Sequence, residues 1–170
     1  MKNPQPLAGM GGGGLAGFIP LLVTVVFAFL MLLPIGTGAS SFAFPNLPMI
    51  AVFYWTCHRP LSMPLGAAVI AGLIMDLWMN VPLGLNMLML LLLRAGVLAQ
   101  LKHFKGRGAM TYWMVFAVII VGIFVTGWVA SSFAENRFIP PLPLIQQYAV
   151  TVFAYPLVAW ILGRIRRSLL

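Results

Sequence analysis

Long apolar runs, separated by short stretches rich in glycine, proline and charge, follow one another along almost the whole chain. Runs of this length are typical of helices that cross a membrane. The second run is the weak one, because roughly 14 residues rise only some 21 Å against a hydrocarbon core of about 30 Å. The pattern predicts an all-α integral membrane protein with six transmembrane helices, the second of them short. The predicted segments are 15–35, 44–58, 62–79, 83–101, 110–133 and 140–163.

These runs divide the chain into three parts. Residues 1–14, rich in glycine and proline, predict a disordered cytoplasmic tail, 15–163 a six-helix membrane domain, and 164–170 a basic cytoplasmic end. A signal peptide is an alternative interpretation of the first run, because residues 37–39 resemble a small-residue cleavage site. The spanning length of that run and the single lysine before it favour a retained helix.

The composition supports the membrane assignment. Hydrophobic residues make up 62% of the chain and charged residues 7%, which is too little polar surface for a soluble domain. The net charge of +8 raises the question of nucleic acid, but the basic residues are scattered between apolar runs and form no basic stripe. We therefore expect no nucleic-acid binding. The single cysteine excludes an internal disulfide, and no Cys/His cluster has the spacing of a metal site.

The distribution of basic residues tests the segment count independently of hydropathy. Six crossings leave only Arg137 on the opposite face from most other Lys and Arg side chains. Basic loops stay in the cytoplasm, so both termini are predicted to be cytoplasmic. The basic residues on the predicted cytoplasmic face are Lys2, Arg59, Lys102, Lys105, Arg107, Arg164, Arg166 and Arg167.

The acid Asp76 lies inside the third apolar run, and the next charge along the chain is Arg94, in the fourth. An acid near the middle of a membrane helix costs about 2.5 to 3.5 kcal/mol on insertion scales, so we expect it to have a partner or a task. Counting residues places the two at similar depths, which predicts a buried Asp76–Arg94 pair with Asn86 and Asn80 nearby. This group would set the packing of the hairpin or meet a partner helix. The alternatives are that Asp76 caps backbone near a helix end while Arg94 snorkels, or that Asp76 has a proton or substrate role.

Two runs also carry small residues at four-residue spacing. Ala68 and Gly72 precede Asp76 in the third segment, and Gly122 and Thr126 recur in the fifth. Small faces allow membrane helices to approach closely, so both are predicted packing faces. Packing within the chain is the favoured interpretation of the second pair, and a partner-facing surface is the alternative.

The cytoplasmic basic clusters indicate topology and contact with anionic lipid, with docking of a cytoplasmic partner as the alternative. Catalysis is not predicted, since no nucleophile and base occur in a suitable arrangement and the second acid, Glu135, lies in an outer loop. No cofactor is predicted either. The clusters consist of Lys102, Lys105 and Arg107, and of Arg164, Arg166 and Arg167.

The order of several short motifs is similar to that of a known family. The motifs are Pro45-Asn46 opening a short helix, Tyr54-Trp55, Pro60 in a turn, Gly72 to Asp76, Leu83-Gly84, Tyr155 to Leu157, and the basic end Arg164 to Arg167. With them, the chain resembles the MreD family of rod shape-determining proteins.

The resemblance implies a non-enzymatic scaffold of the cell-elongation machinery in the bacterial inner membrane. Its implied partners are MreC, and through it RodA and a class B penicillin-binding protein, with MreB filaments bound indirectly; a homo-oligomer is left open. By position, Asp76 falls on the family's membrane acid. The family is also thought to resemble the substrate-binding components of energy-coupling-factor transporters. That second likeness supplies the alternative function, a small-molecule-binding membrane component of a vitamin-type transporter.

Overall fold

Six α-helices make up the regular structure of the described residues, which are 18–32, 44–60, 65–78 and 81–169 of a computed structural model. The predicted all-α class and six helices are therefore confirmed. The tail 1–14 and the cleavage-like residues 37–39 lie outside the described ranges. The helices are α1 (Ile19–Leu32), α2 (Leu47–His58), α3 (Leu65–Trp78), α4 (Leu85–Phe104), α5 (Ala109–Ala134) and α6 (Leu142–Leu169).

Three of these helices, α4, α5 and α6, are long and apolar enough to cross a membrane. Helices α1 and α3 are apolar but shorter over their described residues. Helix α2 has 12 residues, which correspond to a rise of about 18 Å. That this short helix crosses the membrane stays a prediction.

Helix α2 lies at the centre of the bundle. It packs against α1, α4 and α6. Around it, α3 packs against both α1 and α4, and α5 packs against both α4 and α6. All residues from Pro48 to Cys57 are buried. A helix that is buried on every side needs no polar face, which explains why this segment shows apolar residues all round rather than an amphipathic pattern.

Three aromatic rings hold α2 against the last two helices. The ring centroid of Phe53 lies 5.0 Å from that of Phe116 on α5 and 5.6 Å from that of Tyr155 on α6, both edge-on. Phe116 and Tyr155 stack on each other at 4.5 Å. Edge-to-face and offset arrangements are the favoured geometries of aromatic pairs, so this cluster stabilises the junction of three helices.

The start of α2 is fixed by hydrogen bonds to itself and to α6. The side chain of Asn46 accepts from the N–H of Met49 at 3.2 Å and so caps the helix. The N–H of Asn46 donates to the hydroxyl of Thr151 at 2.9 Å, and that hydroxyl donates to the carbonyl of Gln147. Because the other end of α2 lies near Arg166, α2 and α6 run in the same direction.

Helix α6 extends beyond the predicted apolar segment 140–163 and contains the proline that the sequence places in the last helix. It continues to Leu169, because leucine and arginine are good helix formers. Pro156 lies inside the helix and cannot donate to the carbonyl of Val152 four residues earlier. The indole N–H of Trp113 donates to that carbonyl instead, at 3.0 Å.

Candidate functional site at the start of helix α4

The carboxylate of Asp76 lies at the beginning of α4 and accepts three backbone hydrogen bonds. Gly84 N–H donates to Oδ2 at 2.9 Å, Asn86 N–H to Oδ1 at 2.8 Å, and Met87 N–H to Oδ2 at 3.4 Å. Asp76 itself is 2% exposed. The third helix thus provides the cap of the fourth.

This arrangement supplies what the start of α4 lacks. Its N-cap residue, Gly84, has a left-handed backbone with φ of 94° and no side chain to cap the helix. The first N–H groups of a helix have no partner within the helix, and its N-terminus carries a partial positive charge. Hydrogen bonds to a charged acceptor are about twice as strong as neutral ones. The Asp76 carboxylate therefore stabilises the helix start, and the N–H groups offset the cost of burying the charge.

Gly72, one turn before Asp76, allows α4 to approach closely enough for this capping. A Cβ atom at position 72 would lie 2.3 Å from the Cα and 2.6 Å from the N of Met87. Both are backbone atoms, which cannot move aside as the end of a flexible side chain can. Gly72 and Asp76 together form a docking site for the first turn of α4, which we call the α4 clamp.

Asn86 takes part in the clamp through its backbone N–H. Arg94 is half-buried and lies eight residues beyond Asn86, about 12 Å further along α4. Capping of backbone by Asp76, which the sequence offered as an alternative, is the role for which hydrogen bonds are present. An Asp76–Arg94 pair remains a prediction; Asn80 lies outside the described residues.

The two predicted packing faces differ in their surroundings. Ala68 and Gly72 are buried on α3. Gly122 and Thr126 are exposed on α5, a Cβ at Gly122 would meet nothing within 4 Å, and the Thr126 hydroxyl donates to the carbonyl of Gly122 in its own helix. Packing within the chain, the favoured interpretation for this second pair, therefore does not describe the surroundings of Gly122. Its contact with another molecule remains a prediction.

The two predicted basic clusters, 102–107 and 164–167, lie at the end of the bundle where α2, α4 and α6 finish and α5 begins. Arg164 lies over the ring of Trp160 at 5.2 Å, and Arg166 lies 6.0 Å from the ring centre of Tyr54. Both contacts are within the range of cation–π attraction. Lys102 ends α4, and Lys105 and Arg107 follow it in the turn to α5; all three are exposed, as are Arg164 and Arg167, whereas Arg166 is partly buried.

Sequence reasoning missed an aromatic stack at the same end. The ring of His58 stacks between those of Tyr54, at 4.2 Å, and Tyr112, at 5.5 Å, and its Nδ1–H donates to the carbonyl of Tyr54. Two aromatic rings and one backbone hydrogen bond thus hold the histidine in place. Within the described ranges, no group of three His, Cys, Asp or Glu side chains could hold a metal ion.

Comparison with known proteins gives one family. The family model described as rod shape-determining protein MreD matches residues 14–165, which include all the described helices except the last few residues of α6. No curated protein and no solved structure matched the chain.

Proposed function

Because the chain belongs to the MreD family of rod shape-determining proteins, which are membrane proteins of the MreBCD shape-determining system, we propose that it is a non-enzymatic scaffold of the cell-elongation machinery. In this role it binds MreC in the bacterial inner membrane. Through MreC it helps to link MreB filaments to RodA and a class B penicillin-binding protein. The family match over residues 14–165 is the observation that carries the proposal.

The state of Asp76 supports a structural role for the polar chemistry inside the bundle. Its carboxylate accepts three hydrogen bonds from the backbone of α4. A proton carrier or substrate ligand would need oxygen atoms available to its partner, whereas these oxygens are engaged in holding two helices together. This use of the acid fits a protein that presents a rigid membrane surface.

The chain direction supports an orientation with both termini in the cytoplasm. Helices α2 and α6 run in the same direction, as six crossings require for the second and sixth segments. Their last turns lie at the end of the bundle that carries the basic turn with Lys105 and Arg107. Basic residues at this density favour the cytoplasmic side.

We assign the contact with the single membrane helix of MreC to the outward face of α5. Gly122 leaves room for close approach of another helix backbone. Beside it, α5 and α6 form an apolar groove of about 480 Å³, which Trp128 and Tyr148 help to line. A small-residue surface next to an apolar groove suits an apolar helix better than a charged or polar partner.

The test is co-purification of the tagged chain from its native membranes in mild detergent, followed by mass spectrometry. We expect an MreC-like protein, with or without RodA and the transpeptidase. Gly122→Leu should reduce its recovery at least several-fold. Gly66→Leu is the matched control, because Gly66 is equally exposed on α3 with nothing within 4 Å of its Cβ position.

Two results would contradict the proposal. Recovery of paired ATPases with a coupling membrane subunit would instead identify the transporter component, an alternative that the family match does not support. Depletion of the chain without loss of rod shape would remove the scaffold function itself. Equal recovery with Gly122→Leu and Gly66→Leu would move the MreC contact to another face.

A further inference from the structure

A cavity of about 630 Å³ lies where the end of α2, the start of α5 and the second half of α6 meet. It is formed at the end of the bundle that carries the basic residues and is separate from the α4 clamp. Thirteen residues line it, among them Tyr54 and His58 from α2, Trp113 from α5, and Ala159 and Gly163 from α6.

The walls of this cavity are apolar and aromatic, and one end carries two positive charges. Arg166 and Arg167 are both lining residues, and Arg166 is positioned over the ring of Tyr54. The cavity also opens sideways, because its lining residues Met110 and Trp160 are 63% and 58% exposed on the outer surface of the bundle. In a membrane protein that outer surface faces lipid.

The chain offers these two arginines no acidic side chain. Its sequence contains two acids, Asp76 and Glu135. Glu135 follows the end of α5 that is far from the cavity, about 39 Å away along the helix. Asp76 lies at the start of α4, whereas the opposite end of α4 is the one near the cavity, where Phe104 packs against the lining residue Tyr112. Neither acidic side chain of the chain therefore occupies the two arginines, which leaves them available to an anion from outside.

We propose that this cavity is a binding site for an anionic phospholipid of the adjacent leaflet. Its phosphate contacts the guanidinium groups of Arg166 and Arg167, and an acyl chain lies along the apolar walls. Guanidinium binds phosphate oxygens in a two-pronged geometry, and basic residues at the membrane surface attract anionic lipid. A free phosphate ion would leave the apolar walls unused, and a zwitterionic lipid would not balance the charge.

The proposal does not depend on the MreC contact, and native mass spectrometry of the detergent-purified chain tests it. The chain is titrated with dioleoyl phosphatidylglycerol or with dioleoyl phosphatidylethanolamine, which share the same acyl chains. We expect tighter binding of phosphatidylglycerol. The double variant Arg166→Gln/Arg167→Gln should lose that preference by at least roughly 30-fold, since each charged contact with the phosphate contributes more than about five-fold.

Two further variants separate the cavity from general surface charge. Lys102→Gln/Lys105→Gln removes the same charge from the same end, but neither lysine lines the cavity, so phosphatidylglycerol binding should stay within about three-fold of the unmodified chain. Ala159→Phe keeps all charges and fills the cavity, and it should reduce phosphatidylglycerol binding. If this variant elutes as an aggregate, Gly163→Leu takes its place, because a Cβ there meets only the Tyr54 hydroxyl, at 3.5 Å.

Equal binding of the two lipids would overturn the proposal. Equal losses of phosphatidylglycerol binding in the Arg and Lys double variants would also overturn it, because they would indicate attraction by charge alone. Unchanged phosphatidylglycerol binding in the cavity-filling variant would overturn it as well, because the cavity would then not be the binding site. A co-purified protein that is lost with Arg166→Gln/Arg167→Gln and is not displaced by phosphatidylglycerol would assign the cavity to a partner polypeptide instead.

Discussion

Trp113 donates its indole N–H to the backbone carbonyl of Val152, which is the acceptor that Pro156 leaves without a helical donor. A side chain of α5 thereby completes the hydrogen bonding of α6. In an apolar environment an unpaired carbonyl is costly, so the tryptophan compensates for the hydrogen bond that the proline cannot donate, and the two residues form one structural unit. The pair fixes α5 and α6 at the cavity, where both residues are also part of the lining.

The first prediction concerns this unit. Trp113→Phe should lower the free energy of unfolding by about 1 to 3 kcal/mol, because the Val152 carbonyl loses its donor. Pro156→Ala restores a backbone N–H to that carbonyl, so the cost of Trp113→Phe should fall by about 1 kcal/mol in its presence. The measurement is a double-mutant cycle of unfolding in mild detergent.

Trp128 provides the control for that cycle. Its indole N–H donates to the carbonyl of Ile139, which lies in the loop before α6 and is independent of Pro156. The effects of Trp128→Phe and Pro156→Ala should therefore add within about 0.5 kcal/mol. If the effects of Trp113→Phe and Pro156→Ala on the free energy of unfolding are equally additive, Trp113 does not compensate for Pro156.

The second prediction compares two glycines of similar sequence context. Gly72→Ala should destabilise the protein by about 1 to 3 kcal/mol or more, since its Cβ would overlap the backbone of Met87. Gly122→Ala should be neutral or stabilise by up to about 1 kcal/mol, because the site is open and alanine favours helix. Thermal unfolding of the two variants in the same detergent decides this. Equal losses would show that the close approach at Gly72 carries no special cost.

The third prediction addresses the carboxylate of the α4 clamp. Asp76→Asn retains an oxygen acceptor but loses the charge and should cost about 1 to 2 kcal/mol. Asp76→Ala leaves three N–H groups without their acceptor and should cost more. Protection of the Gly84, Asn86 and Met87 amides from hydrogen exchange should fall in parallel.

Glu135→Gln is the control for the loss of an acid. Glu135 pairs with Arg137, whose side chain is 73% exposed, at the outer end of α5, and exposed ion pairs contribute about 0 to 1 kcal/mol. Its removal should leave both stability and exchange at α4 unchanged. A cost for Asp76→Asn no greater than that of Glu135→Gln would contradict the capping role.

The fourth prediction tests the link between α2 and α6. Thr151→Val keeps the shape of the buried side chain but removes the acceptor of the Asn46 N–H, so it should cost about 1 to 3 kcal/mol. Thr126→Val removes a hydroxyl that is exposed and bonds within its own helix, and it should stay within about 0.5 kcal/mol of the unmodified chain. If the two threonine variants unfold alike, the α2–α6 link is not important for stability.

The helices were predictable because their apolar runs are long and end at glycine, proline and charge. Even the short α2 was recognised, as Pro45 before it and Pro48 in its first turn are typical of a helix start. Helix α6 continues beyond the end of its apolar run, because the arginines that follow residue 163 extend helices well.

The α4 clamp was predictable only in part. The sequence singled out Gly72 and Asp76, from their spacing and from the cost of a buried acid. It offered backbone capping by Asp76 only as the alternative to a pair with Arg94, because residue identity does not show that the N–H groups it meets belong to the start of α4. The proline inside α6 does predict an unpaired carbonyl at Val152, but nothing in the sequence identifies Trp113 as its donor.

The central position of α2 also has a consequence for how the molecule is made. Synthesis begins at the N-terminus, so α2 emerges before α4 and α6, which provide much of its surroundings. Until the later helices arrive, the side chains that pack against them, including Phe53, lack their native partners. The native position of the second helix is therefore reached only after the last helix has entered the membrane, which makes assembly of the bundle a late event in biosynthesis.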